Sequence, residues 1–379
     1  MKPVNHQELN VLIKLHYEKK IPINVYGMFG IGKSAVTKAT AREIAESKKK
    51  EFVEWRRLTR DRKIEYIESE ELRRKYFVFI ELRGTQLGDG SDLKGIINLI
   101  KQNARDYVEW DVPIAIKYMT LPYTDGILFL DERNLAYPVV QSALYQVLYD
   151  RAVGDVSFTE DWGIMSAGNT IQSRANIFDT PLPLRDRESE VELQPPTADD
   201  LIEYLLKNKG DNRIIAYLKS HPLDVFKVDT KSEQKNTTPR SYEQLSTLID
   251  GVEDLEQIGL IASARISEGI AIQFCAFLKT RQEINVEKLL NNPKSVEDMS
   301  NRNDLKYALC SAIAGFLIKN KNKEILDKIF KLSTFMEAEF AVLMLRLCYA
   351  IDETFFRNTG LKSKVYLGEV FTTYGKYLL

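Results

Sequence analysis

Two glycines, a lysine and a serine near the amino terminus have the spacing of a phosphate-binding loop. Residues 27–34 have the pattern Gly-x-x-x-x-Gly-Lys-Ser, which ends in Lys33 and Ser34. Glycines allow the backbone to approach an anion closely, and the N–H groups at a helix N-terminus point towards it. The lysine can reach the β- and γ-phosphates of a nucleotide, and the serine hydroxyl can ligate Mg²⁺. The pattern therefore predicts a site for a nucleoside triphosphate.

A second candidate group is an acidic pair. The apolar run 126–130 is typical of a buried strand, and Asp131 and Glu132 follow it directly. A carboxylate at a strand end can hold Mg²⁺, usually through water, and its neighbour can orient and deprotonate an attacking water. Alone, such a pair can also be an exposed loop. Beside a phosphate loop, we interpret it as a magnesium residue followed by a general base.

Other polar residues stand where strands end or helices begin. Asn169 ends a predicted strand, where an amide can hold the attacking water or the γ-phosphate; alternatively it only forms a turn. Arg185 and Arg187 precede another strand, and Arg240 begins a helix. Each arginine is a candidate phosphate ligand, although a lone arginine can equally form a surface ion pair.

The elements that position these residues alternate along the chain. Strands are predicted at 21–26, 76–82, 126–130, 162–166 and 188–193. Helices are predicted at 1–20, 34–47 and 139–151, with a hairpin turn at Gly154-Asp155. Strands that alternate with helices predict a largely parallel sheet in an α/β core. From residue 194 the periodicity is helical, and Thr197 with Asp200 is typical of a helix N-cap. The predicted domains are a core at 1–193, a helical lid at 194–290 and a helical extension at 291–379.

The composition limits the class of protein. The chain has 379 residues, 44% of them hydrophobic, and a net charge of −1. These values indicate a globular protein with no overall electrostatic preference for nucleic acid or an anionic membrane. The three cysteines lie in apolar helical surroundings, and their odd number argues against a disulfide framework. No signal peptide is visible and the longest apolar runs are too short to span a bilayer, so we expect a cytoplasmic protein without a membrane partner.

Residues 46–75 form a charge-dense insertion in the core. Between Lys48 and Lys75 there are 11 Lys or Arg and 7 Asp or Glu residues, a local surplus of +4. We interpret the insertion as a solvated helical arm. A nucleic-acid contact is the alternative, since Trp55 and Tyr66 are interleaved with the charges.

Taken in order, these segments resemble the AAA+ ATPases, and specifically the MoxR branch. The resemblance covers most of the chain apart from the charged insertion and the last twenty or so residues. The matching segments are residues 92–95, 131–136 and 140–144, the hairpin at 154–155, residues 239–242, and Ala271, Phe274 and Phe277. The resemblance implies a P-loop core with a five-stranded parallel sheet and helices on both faces, followed by an all-helical lid and a C-terminal helical region.

The resemblance also implies a role for each candidate. Glu132 is the catalytic base, Asn169 is sensor 1, Arg187 reaches the γ-phosphate of the neighbouring subunit, and Arg240 is sensor 2. Where the family has Asp-Arg-Phe, this chain has Asp186-Arg187-Glu188, which leaves Arg185 as a rival for the trans arginine. Ser34 and Asp131 are the expected metal residues. The expected nucleotide-binding residues are Gly27, Gly30, Ile31, Gly32, Lys33, Ser34, Ala35 and Asp131.

The resemblance implies an ATPase that uses ATP and Mg²⁺ and forms a hexameric ring. Such proteins act as chaperones that remodel or activate a partner complex, often with a partner that carries a von Willebrand A domain. Two alternatives remain at this point. One is an AAA+ motor that acts on nucleic acid in translocation, packaging, restriction or replication. The other is a nucleotide-dependent scaffold with little turnover.

Overall fold

The computed structural model describes residues 2–102, 105–170, 173, 177–178, 182–231, 235–299 and 302–378. The chain divides into two compact units, Met1–Pro195 and Pro196–Leu379. Strands of the first unit are β1 (Lys2–Val4), β2 (Ile23–Gly27), β3 (Glu51–Glu54), β4 (Tyr76–Arg83), β5 (Ile96–Gln102), β6 (Arg105–Asp111), β7 (Gly126–Asp131), β8 (Ala152–Val153), β9 (Val156–Ser157), β10 (Trp162–Asn169) and β11 (Ser189–Leu193). Its helices are α1 (His6–Lys19), α2 (Lys33–Ser47), α3 (Arg60–Glu68), α4 (Glu70–Lys75), α5 (Ser91–Lys94), α6 (Ile114–Met119), α7 (Pro138–Tyr149) and α8 (Leu182–Arg185).

Seven of these strands form one sheet. Their order is β1-β11-β2-β10-β7-β4-β3, and every neighbouring pair is parallel. All five predicted strands are present, and β1 and β3 extend the sheet at its two edges. Parallel neighbours require crossover connections, which the helices between the strands supply. The predicted hairpin is confirmed: β8 and β9 pair around Gly154, which has a positive φ of 63°.

Side chains of the central strands alternate between two covered faces. On one face Phe77 contacts Tyr17 of α1 at 5.7 Å between ring centroids, and Phe79 lies beneath Lys38 of α2. On the other face Val78 and Leu128 belong to an apolar cluster with residues of α6 and α7. Because both faces are covered, the strands are apolar at almost every position, as buried parallel strands are. The predicted α/β class with helices on both faces is confirmed.

The charged insertion is not a solvated helical arm. Its first part is strand β3, which pairs with β4, and only its second part is helical, in α3 and α4. Trp55 is 5% exposed and Tyr66 is 1% exposed, because both rings pack against the sheet beside Tyr118. The aromatic side chains that suggested stacking on bases are therefore part of the core.

The amino terminus also differs from its prediction. Residues 2–4 form edge strand β1 instead of the first turn of a helix, and β1 pairs with β11. The helix begins at His6, where Asn5 and Glu8 form a reciprocal N-terminal cap. Asn5 ends the helix on this side because its side chain accepts a hydrogen bond from the free N–H of Glu8 in the first turn.

The second unit is helical in its described residues. Its helices are α9 (Ala198–Lys207), α10 (Asn212–Ser220), α11 (Pro239–Ile249), α12 (Leu255–Arg265), α13 (Glu268–Gln282), α14 (Val286–Asn291), α15 (Asn303–Lys319), α16 (Lys323–Ser333), α17 (Ala338–Ile351), α18 (Glu353–Gly360) and α19 (Phe371–Leu378). The predicted cap of the first helix is confirmed, with Thr197 and Asp200 bonded to each other's backbone N–H. One apolar core extends from α9 to α19, so the segments 194–290 and 291–379 share it. Their division into a lid and an extension stays a prediction.

No helix in the described ranges is both long and apolar enough to cross a membrane.

A buried carboxylate joins three parts of the first unit at the end of the sheet where β7 begins. Asp125 lies just before β7, and its side chain is 3% exposed. It accepts hydrogen bonds from the Tyr17 hydroxyl at 2.5 Å and from Lys48 Nζ at 2.6 Å, and Lys50 lies 3.1 Å away. Burial alone would raise the pKa of Asp125, but Lys48 and Tyr17 hold it below its ordinary value.

We expect Asp125→Asn to lower the free energy of unfolding by about 1.5–3 kcal/mol at pH 7, since a charged hydrogen-bond acceptor is lost. The folded-state pKa is the depressed one, so this stabilisation is fully present above the unfolded pKa of about 4 and is lost as pH falls through the folded value. Urea unfolding at several pH values measures the difference. A difference between wild type and variant that stays constant below pH 4 would contradict the assignment.

Candidate functional site

The predicted phosphate loop connects β2 to α2. Strand β2 ends at Gly27 and α2 begins at Lys33. Gly30 and Gly32 have φ values of 73° and 99°, in the left-handed region that favours glycine. His6 Nε2 lies 2.7 Å from the carbonyl oxygen of Ile31, so α1 supports the loop from outside. The loop therefore has a defined shape, and Ser34 and Ala35 lie in the first turn of the helix whose N-terminus it forms.

Lys33 and Asn169 meet at this loop. The ammonium group of Lys33 donates hydrogen bonds to the carbonyl oxygens of Gly27 at 2.8 Å and Met28 at 2.9 Å. It also donates to Asn169 Oδ1 at 3.2 Å. The contact follows from the sheet, because β2 and β10 are parallel neighbours and Asn169 is in register with Gly27.

Ser34 and Asp131 form a second contact between the loop and a strand end. The serine hydroxyl donates to Asp131 Oδ2 at 2.7 Å. Burial raises the pKa of the Asp131 carboxyl, as do the charges of Glu132 and Glu81, whereas the hydrogen bonds from Ser34 and the Glu132 backbone oppose the rise. A desolvated carboxylate beside a hydroxyl is a set of oxygen donors that suits Mg²⁺, and a cation there would offset the burial.

Glu132 has an unusual backbone conformation beside Asp131. Its φ of 52° and ψ of 34° are left-handed, which costs a non-glycine residue about 1–3 kcal/mol and is commonest at functional sites. Its N–H donates to Asp131 Oδ1 at 2.9 Å, which helps to hold that conformation. The Thr85 hydroxyl donates to Glu132 Oε2 at 2.9 Å. Thr85 was missed by sequence reasoning because only the pairing of β4 with β7 brings it to Glu132.

Gly84 allows this conformation by close approach. A Cβ atom at Gly84 would lie 2.4 Å from the carbonyl oxygen of Glu132 and 3.2 Å from Cβ of Ala136. The first distance is far below any real contact, so a side chain at position 84 would displace the segment that carries Glu132.

Asn134 holds the end of β10. Its Nδ2 donates to the carbonyl oxygen of Asn169 at 2.7 Å, and its Oδ1 accepts from the Asn169 N–H at 2.9 Å. Asn134 is buried, so this reciprocal pair is shielded from water. The side chain of Asn169 is thus placed by a residue three positions after Asp131, a role that its sequence position alone did not reveal.

Glu188, where the sequence resemblance leads one to expect an aromatic residue, has a charged partner. It forms a bidentate ion pair with Arg133, in which both N···O distances are 2.6 Å. The two side chains are 2% and 0% exposed. Burial raises the pKa of Glu188, and the Arg133 guanidinium offsets part of that rise. The glutamate at position 188 is therefore paired with the arginine that follows Glu132.

The two rival arginines have different surroundings. Arg185 is half exposed and is paired with Glu190, with an Nη2···Oε2 distance of 2.8 Å. The guanidinium of Arg187 lies over the ring of Tyr149 at 4.0 Å. Within the described residues, no carboxylate lies within ion-pair distance of Arg187.

The structure therefore brings together the phosphate loop, Asp131, Glu132 and Asn169 at the carboxyl ends of β2, β7 and β10. Arg187 belongs to the same unit, in the turn before β11. Arg240 belongs to the second unit, where it is exposed in the first turn of α11, and Thr238 caps that helix by accepting from the Ser241 N–H. The assigned roles of all these residues stay predictions.

No family model and no curated protein matches the sequence. Three solved structures illustrate what the chain is similar to in shape. The RuvB Holliday junction branch migration motor of Thermotoga maritima is 16% identical, with a TM-score of 0.32 over 76% of this chain and 75% of that one. A putative ATPase from Cytophaga hutchinsonii is 12% identical, with a TM-score of 0.32 over 91% and 80%. NtrX from Brucella abortus in complex with ADP is 12% identical, with a TM-score of 0.36 over 98% and 68%.

The strands of the chain form a parallel α/β core, with the Asn169 strand between the phosphate-loop strand and the strand of the acidic pair. An all-helical region follows this core.

We expect Gly84→Ala to lower the free energy of unfolding of the first unit by about 1–3 kcal/mol, as an overpacked site does. The new methyl group must push the Glu132 carbonyl away. Gly90→Ala is the matched control, since its Cβ would meet only Ala143 Cβ at 3.9 Å and its φ is −67°. Urea unfolding compares the two, and equal stability of both variants would show that Gly84 is not constrained.

Proposed function

We propose that this protein is a Mg²⁺-dependent ATPase that works as a ring and remodels or activates a partner protein complex. The observation that carries the ATPase part is the meeting of Lys33 with Asn169 and of Ser34 with Asp131 at one edge of the sheet. The remodelling part is supported by the sequence resemblance to the MoxR branch.

The phosphate loop would bind the triphosphate through its backbone. The N–H groups of residues 30–35 surround the helix N-terminus, where the helix dipole favours an anion. Lys33 would exchange its carbonyl partners for the β- and γ-phosphate oxygens. Those carbonyl bonds keep the ammonium group extended over the loop beforehand, so little side-chain freedom is lost when the nucleotide binds.

Ser34 and Asp131 would hold Mg²⁺, which neutralises negative charge on the phosphates when it is bound. The shared hydrogen bond between the two side chains keeps both sets of oxygen atoms directed at the same point. The raised pKa of Asp131 fits a buried carboxylate whose negative charge is balanced only when a cation binds.

Glu132 would orient and deprotonate the water that attacks the γ-phosphate. Its left-handed backbone and the Thr85 hydroxyl fix where its carboxylate lies. Asn169 would hold the same water or a γ-phosphate oxygen, with its backbone fixed by Asn134. The protein would therefore act mainly by positioning and by charge, as is usual in phosphoryl transfer.

Arg187 would complete the site of a neighbouring copy of the chain. It lies on Tyr149 without a carboxylate partner in the described residues, whereas Arg185 is neutralised by Glu190. An arginine that serves a second subunit makes hydrolysis depend on assembly, and a hexamer is the assembly that the family resemblance implies. Arg240 would have the sensor 2 role that the resemblance implies.

We expect Glu132→Gln to bind ATP as wild type does and to hydrolyse it about 10²–10⁴ times more slowly, because the general base is lost. Phosphate release measures kcat, and a fluorescent ATP analogue measures binding. Lys33→Ala should lose the binding itself. The exposed Glu68→Gln is the charge-matched control. Hydrolysis by Glu132→Gln at the wild-type rate would refute the assignment of the base and favour the scaffold interpretation.

We expect Arg187→Ala to lower kcat by about 10³–10⁵, the range of a trans arginine, while Arg185→Ala changes it little. The specific activity of wild type should also rise with protein concentration, because assembly completes the site. The same phosphate-release assay tests both arginines. The reverse order of effects would assign the trans role to Arg185.

The partner class can be tested with the same variant. Glu132→Gln loaded with ATP should retain its partner in a pull-down, and a protein with a von Willebrand A domain is the expected capture. Addition of DNA or RNA to the wild-type assay tests the alternative of a nucleic-acid motor. If the nucleic acid raises kcat and this increase disappears at higher salt, the motor is favoured over the remodelling role. The salt dependence is expected because contacts with nucleic-acid phosphates release counterions.

A further inference from the structure

A buried ion pair joins the neighbour of the proposed base to the neighbour of the proposed trans arginine. Arg133 follows Glu132, and Glu188 follows Arg187. The two N···O distances of 2.6 Å form a parallel fork, which fixes both distance and direction between the two chain segments. Each candidate is the immediate neighbour of one member of the pair. The pair therefore sets where the backbones of Glu132 and Arg187 lie.

The pair is itself tied to the strands beneath the site. The Ser166 hydroxyl lies 3.4 Å from Glu188 Oε2 and donates to Asn24 Oδ1 at 3.1 Å. Tyr26 contributes a side-chain hydrogen bond to Arg133. Asn24 and Tyr26 belong to β2, which leads into the phosphate loop, and Ser166 belongs to β10, which ends at Asn169. The network therefore connects the elements that carry the loop, Asn169, Glu132 and Arg187.

Stability does not explain such a pair. Two charges lose their hydration when they are buried, and an apolar pair of similar volume is often as stabilising or more so. What the ion pair provides and an apolar pair does not is a fixed relative orientation of the two segments.

We propose that Arg133 and Glu188 are positioning residues that fix Glu132 and Arg187 relative to each other. Glu132 acts in the subunit's own site, and Arg187 acts in the neighbour's site. The proposal rests on the proposed function. On this proposal, a displacement of Glu132 in a subunit's own site also displaces the Arg187 that the same subunit offers to its neighbour.

The test replaces the pair by apolar residues, in the double variant Arg133→Met with Glu188→Leu. We expect the midpoint of urea unfolding to be no lower than in wild type, because no unpaired charge is left. The dissociation constant of a fluorescent ATP analogue should stay within about twofold, since the phosphate loop is unchanged, whereas kcat should fall by about 10²-fold through misplacement. A folded double variant with the wild-type kcat would overturn the proposal.

A second variant keeps the test decisive if the double variant does not fold. Arg133→Lys leaves a positive partner for Glu188 but removes the bidentate fork. It should lower kcat at unchanged nucleotide affinity, and an unchanged kcat would overturn the proposal. Asp125→Asn is the matched control: it breaks a buried ion pair just before β7, the strand that leads to Glu132, and should leave kcat per folded protein unchanged.

A mixing experiment separates the two halves of the proposal. Lys33→Ala subunits bind no nucleotide but offer an intact Arg187 to a neighbour. If the pair positions Glu132 as well as Arg187, mixing Lys33→Ala subunits with the double variant should not restore kcat; full restoration would overturn the link to Glu132.

Wild type and Glu132→Gln are run beside these samples. Equal hydrolysis by those two would show that the proposed function has failed, whereas an inactive Glu132→Gln beside a fully active double variant would refute the positioning role alone.

Discussion

Parallel pairing of β2, β10 and β7 is the constraint on which the site depends. Parallel strands end at the same edge of a sheet, so the residues that follow each strand become neighbours however far apart they are in the chain. The register sets Asn169 opposite Gly27 and Arg83 opposite Asp131. Helix α2 then starts at this edge with its dipole directed into the cluster. Without this register, Lys33 and Ser34 would have neither Asn169 nor Asp131 to contact.

The same edge of the sheet also carries several features that are energetically unfavourable. Asp131 is desolvated, Glu132 has a left-handed backbone, and Arg133 with Glu188 is a buried ion pair. Each of these features is unfavourable alone, and the first two are held by contacts from other segments: Asp131 by Ser34 of α2, and Glu132 by Thr85, which follows β4. Strained and desolvated groups are commonest at functional sites, so their clustering at one edge agrees with the proposed site.

The charged insertion shows how a surplus of charge can hide a folded element. Four of its cations pair with buried carboxylates: Arg57 with Glu54, Arg56 with Glu81, and Lys48 and Lys50 with Asp125. Trp55 and Tyr66, by contrast, are buried against Tyr118 of α6. Residues 51–54 are too few for their pattern to distinguish a strand from a loop. They form a strand because they pair with the edge of β4.

The sequence by itself determined the phosphate loop, the acidic pair, the five central strands and the helical second half, because these follow from local spacing and from apolar runs. It also marked Glu188 as a departure from the pattern that the neighbouring residues resemble. Tertiary structure alone decided what Glu188 does, and it added Thr85, Gly84 and Asn134 to the neighbourhood of Glu132 and Asn169. The physical reason is the same for all of them: their partners are distant in sequence, and a contact between the ends of different strands leaves no periodic trace in either segment.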